Sequence, residues 1–370
     1  MICTDTFERV LCFFHPAEAQ RILSLPLSKL YMMGYTFNEN VWRARCVGET
    51  WRVPVHIASS GHQWRSLYLD LVYSLSLVEG TNVVGSGEED NVLAVASVLD
   101  HYRGLQEMTR ACFSRLGNLL QKDAARETIK TSGLRIMDHA LWALRTFHDD
   151  VDIQLKVLRF VVLAGRPIGG TEGMVFHRGR ASGGALEAFG PTGEGVAAVL
   201  ATMSRHLQHG PTQAMACWSM VNMALLPVQK ENLIRLGGIK AVTSAMVAHP
   251  KDPEVLFRGM FALINLVTPD GESVSTMPTD TMKDVVAVVL AAIHGFSENA
   301  AIVNRGCLVL HNIALDAGHF ETLLAMGAPQ HLVQAVGKHP TDVVLCQCVS
   351  GTLRRLGAEA TFNSEAPAAL

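Results

Sequence analysis

Ala216-Cys217-Trp218-Ser219-Met220-Val221-Asn222-Met223-Ala224 returns twice further along the chain, as Gly259-Met260-Phe261-Ala262-Leu263-Ile264-Asn265-Leu266-Val267 and as Gly306-Cys307-Leu308-Val309-Leu310-His311-Asn312-Ile313-Ala314. The asparagines of these copies stand 43 and 47 positions apart, and a period of roughly 40–47 residues belongs to helical repeats stacked into a solenoid. Each repeat of such an array touches only its neighbours, so the architecture exposes a long surface instead of enclosing one pocket. On a helix Trp218 and Asn222 project from nearly one face, as do Phe261 with Asn265 and Leu308 with Asn312, because positions four apart lie one above the other.

The surroundings of the middle copy set out a complete unit. Val228 to Leu236 predicts a short helix broken at Gly237-Gly238, where glycine tolerates the left-handed conformation that ends helices. Ile239 to Ala248 predicts a second helix, stopped at His249-Pro250 because proline disfavours a helical conformation in the residue before it. A third begins at Asp252-Pro253-Glu254, with an acidic N-cap, proline in the first turn and a further acid near the positive helix end. The same marks return 90 positions later at Met326-Gly327-Ala328 and His339-Pro340, and Thr131-Ser132-Gly133-Leu134 heads a more diverged copy. Long third helices are expected near 108–121, 151–165, 211–226, 252–268, 299–316 and 341–357, about six units with some incomplete.

Composition agrees with a folded helical protein: of 370 residues, 49% are hydrophobic and 18% charged, values far from those of a disordered chain. A net charge of −3 gives no reason to expect a nucleic-acid surface. The eight cysteines are dispersed, with only Cys346-x-Cys348 close together, which suggests neither a zinc site nor a disulfide framework but reduced thiols in a cytosolic or nuclear protein. Cys112, Cys217 and Cys307 share one repeat position and read as small core residues. Met1 to Val10 lacks the basic start and apolar run of a secretory signal. The longest apolar run, Val285 to Ile293, falls far short of the ~20 residues that span a bilayer. The expectation is a cytoplasmic, or also nuclear, protein with no membrane insertion.

Two regions break the rhythm. Ten glycines lie from Gly165 to Gly195, with Arg166, His177, Arg178 and Arg180 and few large apolar residues, which predicts an exposed, mobile insertion at about 166–195. Residues 1–90 hold three of the five tryptophans and four of the five tyrosines without a detectable repeat. They read as a cap or extra element ahead of a repeat region over 91–357, with 358–370 as a tail.

The short, medium and long helix triplet resembles the armadillo family over roughly residues 92–357, and Trp218-x-x-x-Asn222 is similar to the signature of importin α. The resemblance implies an all-α, right-handed superhelical solenoid whose third helices line a concave groove. It also implies that Asn222, Asn265 and Asn312 hold the backbone of an extended peptide, with Trp218 and its counterparts Phe261 and Leu308 as ridges beside them. The departures matter: Phe261 and Leu308 replace the tryptophan, and Arg355 stands where the last asparagine is expected. What recurs instead is an arginine three positions before the ridge, Arg110 before Phe113, Arg258 before Phe261 and Arg305 before Leu308. Offsets of −3, 0 and +4 keep such positions within about 60° on one helix face. If that face is the concave one, the groove is basic and prefers an acidic strand, closer to the style of β-catenin.

Catalytic signals are thin. His206-x-x-His209 lacks a further ligand at a recognisable spacing. The glycine-rich stretch lacks Gly-Lys-Ser/Thr, and no Gly-x-Ser-x-Gly occurs. The reading is a non-catalytic scaffold or adaptor without cofactor or metal, binding an extended or helical, acidic segment of a partner protein. The main alternative is a structural subunit of a cytoskeletal, ciliary or trafficking complex, and a lyase or other enzyme on a helical-repeat scaffold ranks behind it.

Overall fold

A computed structural model describes residues 64–80, 88–132, 135–166, 184–190, 192–268 and 278–359, together with single positions before residue 64. Among the described residues the regular elements are all helical and no strand occurs, as an α-solenoid requires. No helix among them is long and apolar enough to cross a membrane. Packing divides the chain into two units, Met1–His139 and Ala140–Leu370.

The first unit contains α1 (Trp64–Glu79), α2 (Glu88–Tyr102), α3 (Gln106–Leu119) and α4 (Asp123–Thr131). Its core is built from Tyr68, Leu71, Leu99, Met108, Cys112 and Phe113, all buried. The buried Arg126 of α4 donates to the carbonyls of Leu120 at 2.7 Å and Gln121 at 3.2 Å, satisfying oxygens that the end of α3 leaves open. The packing boundary differs from the one expected at residue 90: α1 comes from the supposed cap yet packs on α2 and α3. The division falls instead inside α5 (Ile136–Thr146).

The second unit contains α6 (Val151–Ala164), α7 (Gly184–Glu187), α8 (Glu194–Arg205), α9 (Gly210–Met223), α10 (Pro227–Arg235), α11 (Gly238–Ala248), α12 (Pro253–Val267), α13 (Thr279–Gly295) and α14 (Ala300–Ile313). After a 3-10 turn at Ala317–His319 come α15 (Phe320–Ala325), α16 (Ala328–Lys338) and α17 (Val343–Arg355). They pack as two parallel rows. Helices α6, α9, α12, α14 and α17 touch in succession, and beside them α8, α11, α13 and α16 do the same.

Local chemistry explains the element ends. Asp150, Asp252 and Asp342 cap α6, α12 and α17 by accepting backbone N–H bonds, and Asn299 and His209 do so for α14 and α9. Gly193, Gly237 and Gly327 precede α8, α11 and α16 with φ of 103°, 86° and 73°, a left-handed backbone open mainly to glycine. Between the rows, aliphatic side chains such as Val242, Val255, Met260, Leu263 and Leu310 are fully enclosed. Cys217 and Cys307 are buried with them, as Cys112 is in the first unit. Burial pushes the Cys217 thiol up to about 12 and those of Cys112 and Cys307 upward as well, which disfavours the thiolate form.

The glycine-rich stretch needs correction at its C-terminal end. Residues 167–183 lie outside the described residues, but Leu186 and Phe189 are buried. Glycine here provides a close fit: a Cβ on Gly195 would stand 2.6 Å from the Phe189 ring.

Candidate functional site

Along α9, α12 and α14 the residues Trp218, Asn222, Phe257, Arg258, Phe261, Asn265, Arg305 and Leu308 are all half-buried, while their helical neighbours Cys217, Met220, Met260, Leu263, Cys307 and Leu310 are enclosed. The partly open positions therefore share one face of the row, as their spacing predicts. Two sets of contacts hold that face in register.

The first is a set of asparagine rungs. The Nδ2 of Asn222 donates to the Val162 carbonyl at 2.9 Å, that of Asn265 to Val221 at 3.3 Å, and that of Asn312 to Ile264 at 3.2 Å. The acceptor in the last two is the residue just before the preceding asparagine, so the pattern repeats from helix to helix. Asn312 also donates to the Thr268 hydroxyl at 2.7 Å. That engages both hydrogens of its amide, and the residue is buried. Asn222 and Asn265 each commit one amide hydrogen to the neighbouring helix and lie partly open.

The second set stacks arginines on rings. The Arg258 guanidinium lies 3.6 Å from the Trp218 ring centroid, and that of Arg305 lies 3.7 Å from Phe257 and 5.1 Å from Phe261. Each arginine thus reaches back to an aromatic residue on the preceding helix, within the range of cation–π attraction. Arg258 also donates from Nε to Glu254 at 2.8 Å. Burial and then the nearby Arg258 lower the pKa of Arg305 from its ordinary value, which marks the two guanidinium groups as neighbours.

At the α17 end the rung changes chemistry. Arg355 occupies the asparagine place, and its Nη1 lies 3.0 Å from Nε2 and 3.4 Å from Nδ1 of His311. Nearness to both ring nitrogens at once puts it against the imidazole face, out of line with either lone pair. His311 Nδ1 lies 2.9 Å from the Thr352 hydroxyl. Burial first, and Arg355 second, lower the pKa of His311.

Arg110 lies in the other of the two units. There it pairs with Glu107 one helical turn away, and Phe113 beside it is a core residue. Sequence reasoning also missed Phe257 and His311. Phe257 has no aromatic counterpart in the other copies, and His311 looks like a variable position before an asparagine.

The helices of this row carry more basic than acidic residues between their caps. Helices α6, α9, α12, α14 and α17 together carry Lys156, Arg159, Arg258, Arg305, Arg354 and Arg355 against only Asp152 and Glu254. Asp150, Asp252 and Asp342 stand at the caps of α6, α12 and α17, so the basic residues belong to the helix bodies and the acids to their heads.

The other row has its own ties. At the ends of α8, α11 and α16, the Nε2 atoms of His206, His249 and His339 lie 2.8, 2.7 and 2.8 Å from the carbonyls of His148, Leu207 and Ser297, each one loop back. Phe296 holds the matching place after α13. His249 and His339, which read as helix stops, therefore also link successive loops, as His206 does, and His209 is an N-cap within hydrogen-bond reach of Thr212. Among the described residues no group of three or more histidine, cysteine or acidic side chains is placed to hold a metal. A pocket of about 210 Å³ between α5 and α8 has Arg145, His148 and Arg205 on its rim. Asp149 already pairs with His148 and Arg205 at 3.0 and 2.7 Å.

No protein-family model matches the chain, and no curated protein does. Among solved structures it is similar to an engineered protein whose crystal structure comes from the Northeast Structural Genomics Consortium, with 15% identity and a TM-score of 0.53. That similarity covers 72% of this chain and 97% of the other, and at such identity it speaks to fold alone.

Proposed function

We propose that the protein is an armadillo-type right-handed superhelical solenoid acting as a non-catalytic adaptor in the cytoplasm. Its row of third helices takes an extended, acidic segment of a partner protein. The observation that carries this reading is the stacking of Arg258 on Trp218 and of Arg305 on Phe257 along the face that the asparagine rungs hold in line. A guanidinium laid flat on a ring presents its N–H groups edgewise, which suits carboxylates. Trp218, Phe261 and Leu308 supply apolar footing beside them, and Asn222 and Asn265 meet the backbone of the bound segment. Asn312 serves the same row as a rung between helices.

Replacing Arg258 and Arg305 together by glutamine tests this. Each lost charge-assisted hydrogen bond is worth about 1.5–3 kcal/mol, so affinity for a fluorescein-labelled oligoglutamate peptide should fall about tenfold or more. Raised salt should weaken the wild-type complex. Equal affinity of the double variant and the wild type, by fluorescence anisotropy, overturns the proposal.

A further inference from the structure

The hydrogen bonds around His311 specify its tautomer. Thr352 Oγ1 donates its only hydrogen to the Cys348 carbonyl at 2.7 Å, which leaves the hydroxyl an acceptor toward His311 Nδ1 at 2.9 Å. Nδ1 must then carry a proton, so that in the neutral ring Nε2 is the bare nitrogen. It is the electron-rich face of this neutral form that the Arg355 guanidinium rests against. A proton added at Nε2 turns that face cationic and sets two positive groups in contact.

We propose that His311 and Arg355 form a further carboxylate-binding site at the α17 end of the row, opened when His311 takes up a proton and releases Arg355 from its ring. The inference rests on the acidic-segment reading of the same face. Its direction follows from charge. With His311 neutral, Arg355 is drawn onto the protein's own wall in the place that Asn222, Asn265 and Asn312 fill on the earlier helices. With His311 protonated, an imidazolium and a freed guanidinium stand together, and a partner's carboxylate relieves their repulsion.

The groups around the ring allow this. On α17 they are Arg355, Thr352 and the Cys348 backbone. On α12, the other neighbour in the row, Ile264 and Thr268 meet the adjoining Asn312 and neither titrates. The titratable side chains of the flanking row are Asp280, Lys283, Asp284 and His294 on α13 and His331 and Lys338 on α16, while burial, Arg355 and the Cys348 backbone act on His311. Binding and protonation are therefore linked: an acidic segment raises the proton affinity of His311, and acid strengthens the complex.

The test uses the full chain and a fluorescein-labelled oligoglutamate peptide, with affinities at about pH 7.5 and about pH 5.5, where the peptide carboxylates stay ionised. The wild type should bind about fivefold tighter at the lower pH, and His311→Gln should lose most of that gain. A gain that persists in His311→Gln overturns the site while leaving the acidic-segment reading in place. Failure of the peptide to bind at either pH defeats both. Nitrogen NMR of the free protein adds a readout independent of the peptide. It should show His311 protonated at Nδ1, and Arg355→Gln should raise the His311 pKa; the other tautomer, or an unmoved pKa, also overturns the proposal.

Discussion

The Arg258 guanidinium lies 3.6 Å from the centre of the Trp218 indole, 40 positions earlier in the chain and one helix back. This contact joins two repeats through side chains alone, on a face that is half open to solvent. Arg305 on Phe257 and Arg355 on His311 repeat the theme, so one type of contact runs the length of α9 to α17.

A double-mutant cycle on Trp218 and Arg258 should detect it. Each alanine variant should lower stability, and the pair should show a coupling energy of about 0.5–1 kcal/mol, as expected for a partly exposed cation–π contact. Arg258→Lys keeps the charge but not the flat stack and should recover only part of the loss. Urea unfolding of the four cycle proteins measures the coupling, and a value indistinguishable from zero removes the energetic role of the stack.

The asparagine rungs respond differently to two substitutions. Asn265→Ala removes the donor to Val221 and should cost about 1 kcal/mol. Asn265→Asp places an acceptor against the same carbonyl and should cost more, about 2–3 kcal/mol. At Asn312, where both amide hydrogens are engaged, the aspartate variant should be the most damaging. The order Asp worse than Ala should appear in denaturation midpoints, and the reverse order speaks against a donor role. Any test of Asn222 and Asn265 as peptide clamps must therefore be read beside the stability of the variants.

Acid should weaken the fold in two separate windows. Burial lowers the pKa of His139, opposed by Asp100 at 3.3 Å, and burial together with Arg355 lowers that of His311. Each imidazole is harder to protonate folded than unfolded, so stability is full above about pH 6.5 and declines as pH drops below it. Glu298, held down first by its hydrogen bond to Lys338, keeps its contribution until pH falls through its ordinary value of 4.5. Urea midpoints should therefore decline as pH drops below about 6.5, and the double variant His139→Gln, His311→Gln should flatten that part of the profile.

Glycine at the head of two repeated stretches sets how closely the rows approach. A Cβ on Gly259 would meet the flexible Met246 side chain at 2.8 Å, whereas one on Gly306 would meet the branched Ile293 at 2.6 and 2.8 Å. Alanine gains helix propensity worth about 1 kcal/mol at either site. Gly259→Ala should come out near neutral, because methionine can move aside. Gly306→Ala should be destabilising by about 1–2 kcal/mol. Thermal or urea unfolding of the two variants will separate them, and equal effects contradict the difference in packing.

Helix positions were legible because their signals are local. Asp252, Pro253, Gly237 and Gly327 act on their own backbone within a turn, so the structure begins and ends helices where those residues stand. The shared face of Trp218, Asn222, Phe261 and Asn265 was legible from spacing. What the asparagines hold was not, since a carbonyl on the next helix and one on a bound peptide make the same demand on an amide. Phe257 escaped notice because only its position across from Arg305 gives it a role. The place of α1 was hidden as well: residues before 91 carry no repeat, and only packing shows that α1 belongs with α2 and α3.

The histidines that close α8, α11 and α16 each clasp the loop behind them, but Phe296 at the end of α13 has no ring nitrogen with which to do so. The junction between the ends of α11 and α13 therefore holds by helix packing without this tie. Amide exchange in the turn after α13 should accordingly run faster than in the turns closed by His206, His249 and His339.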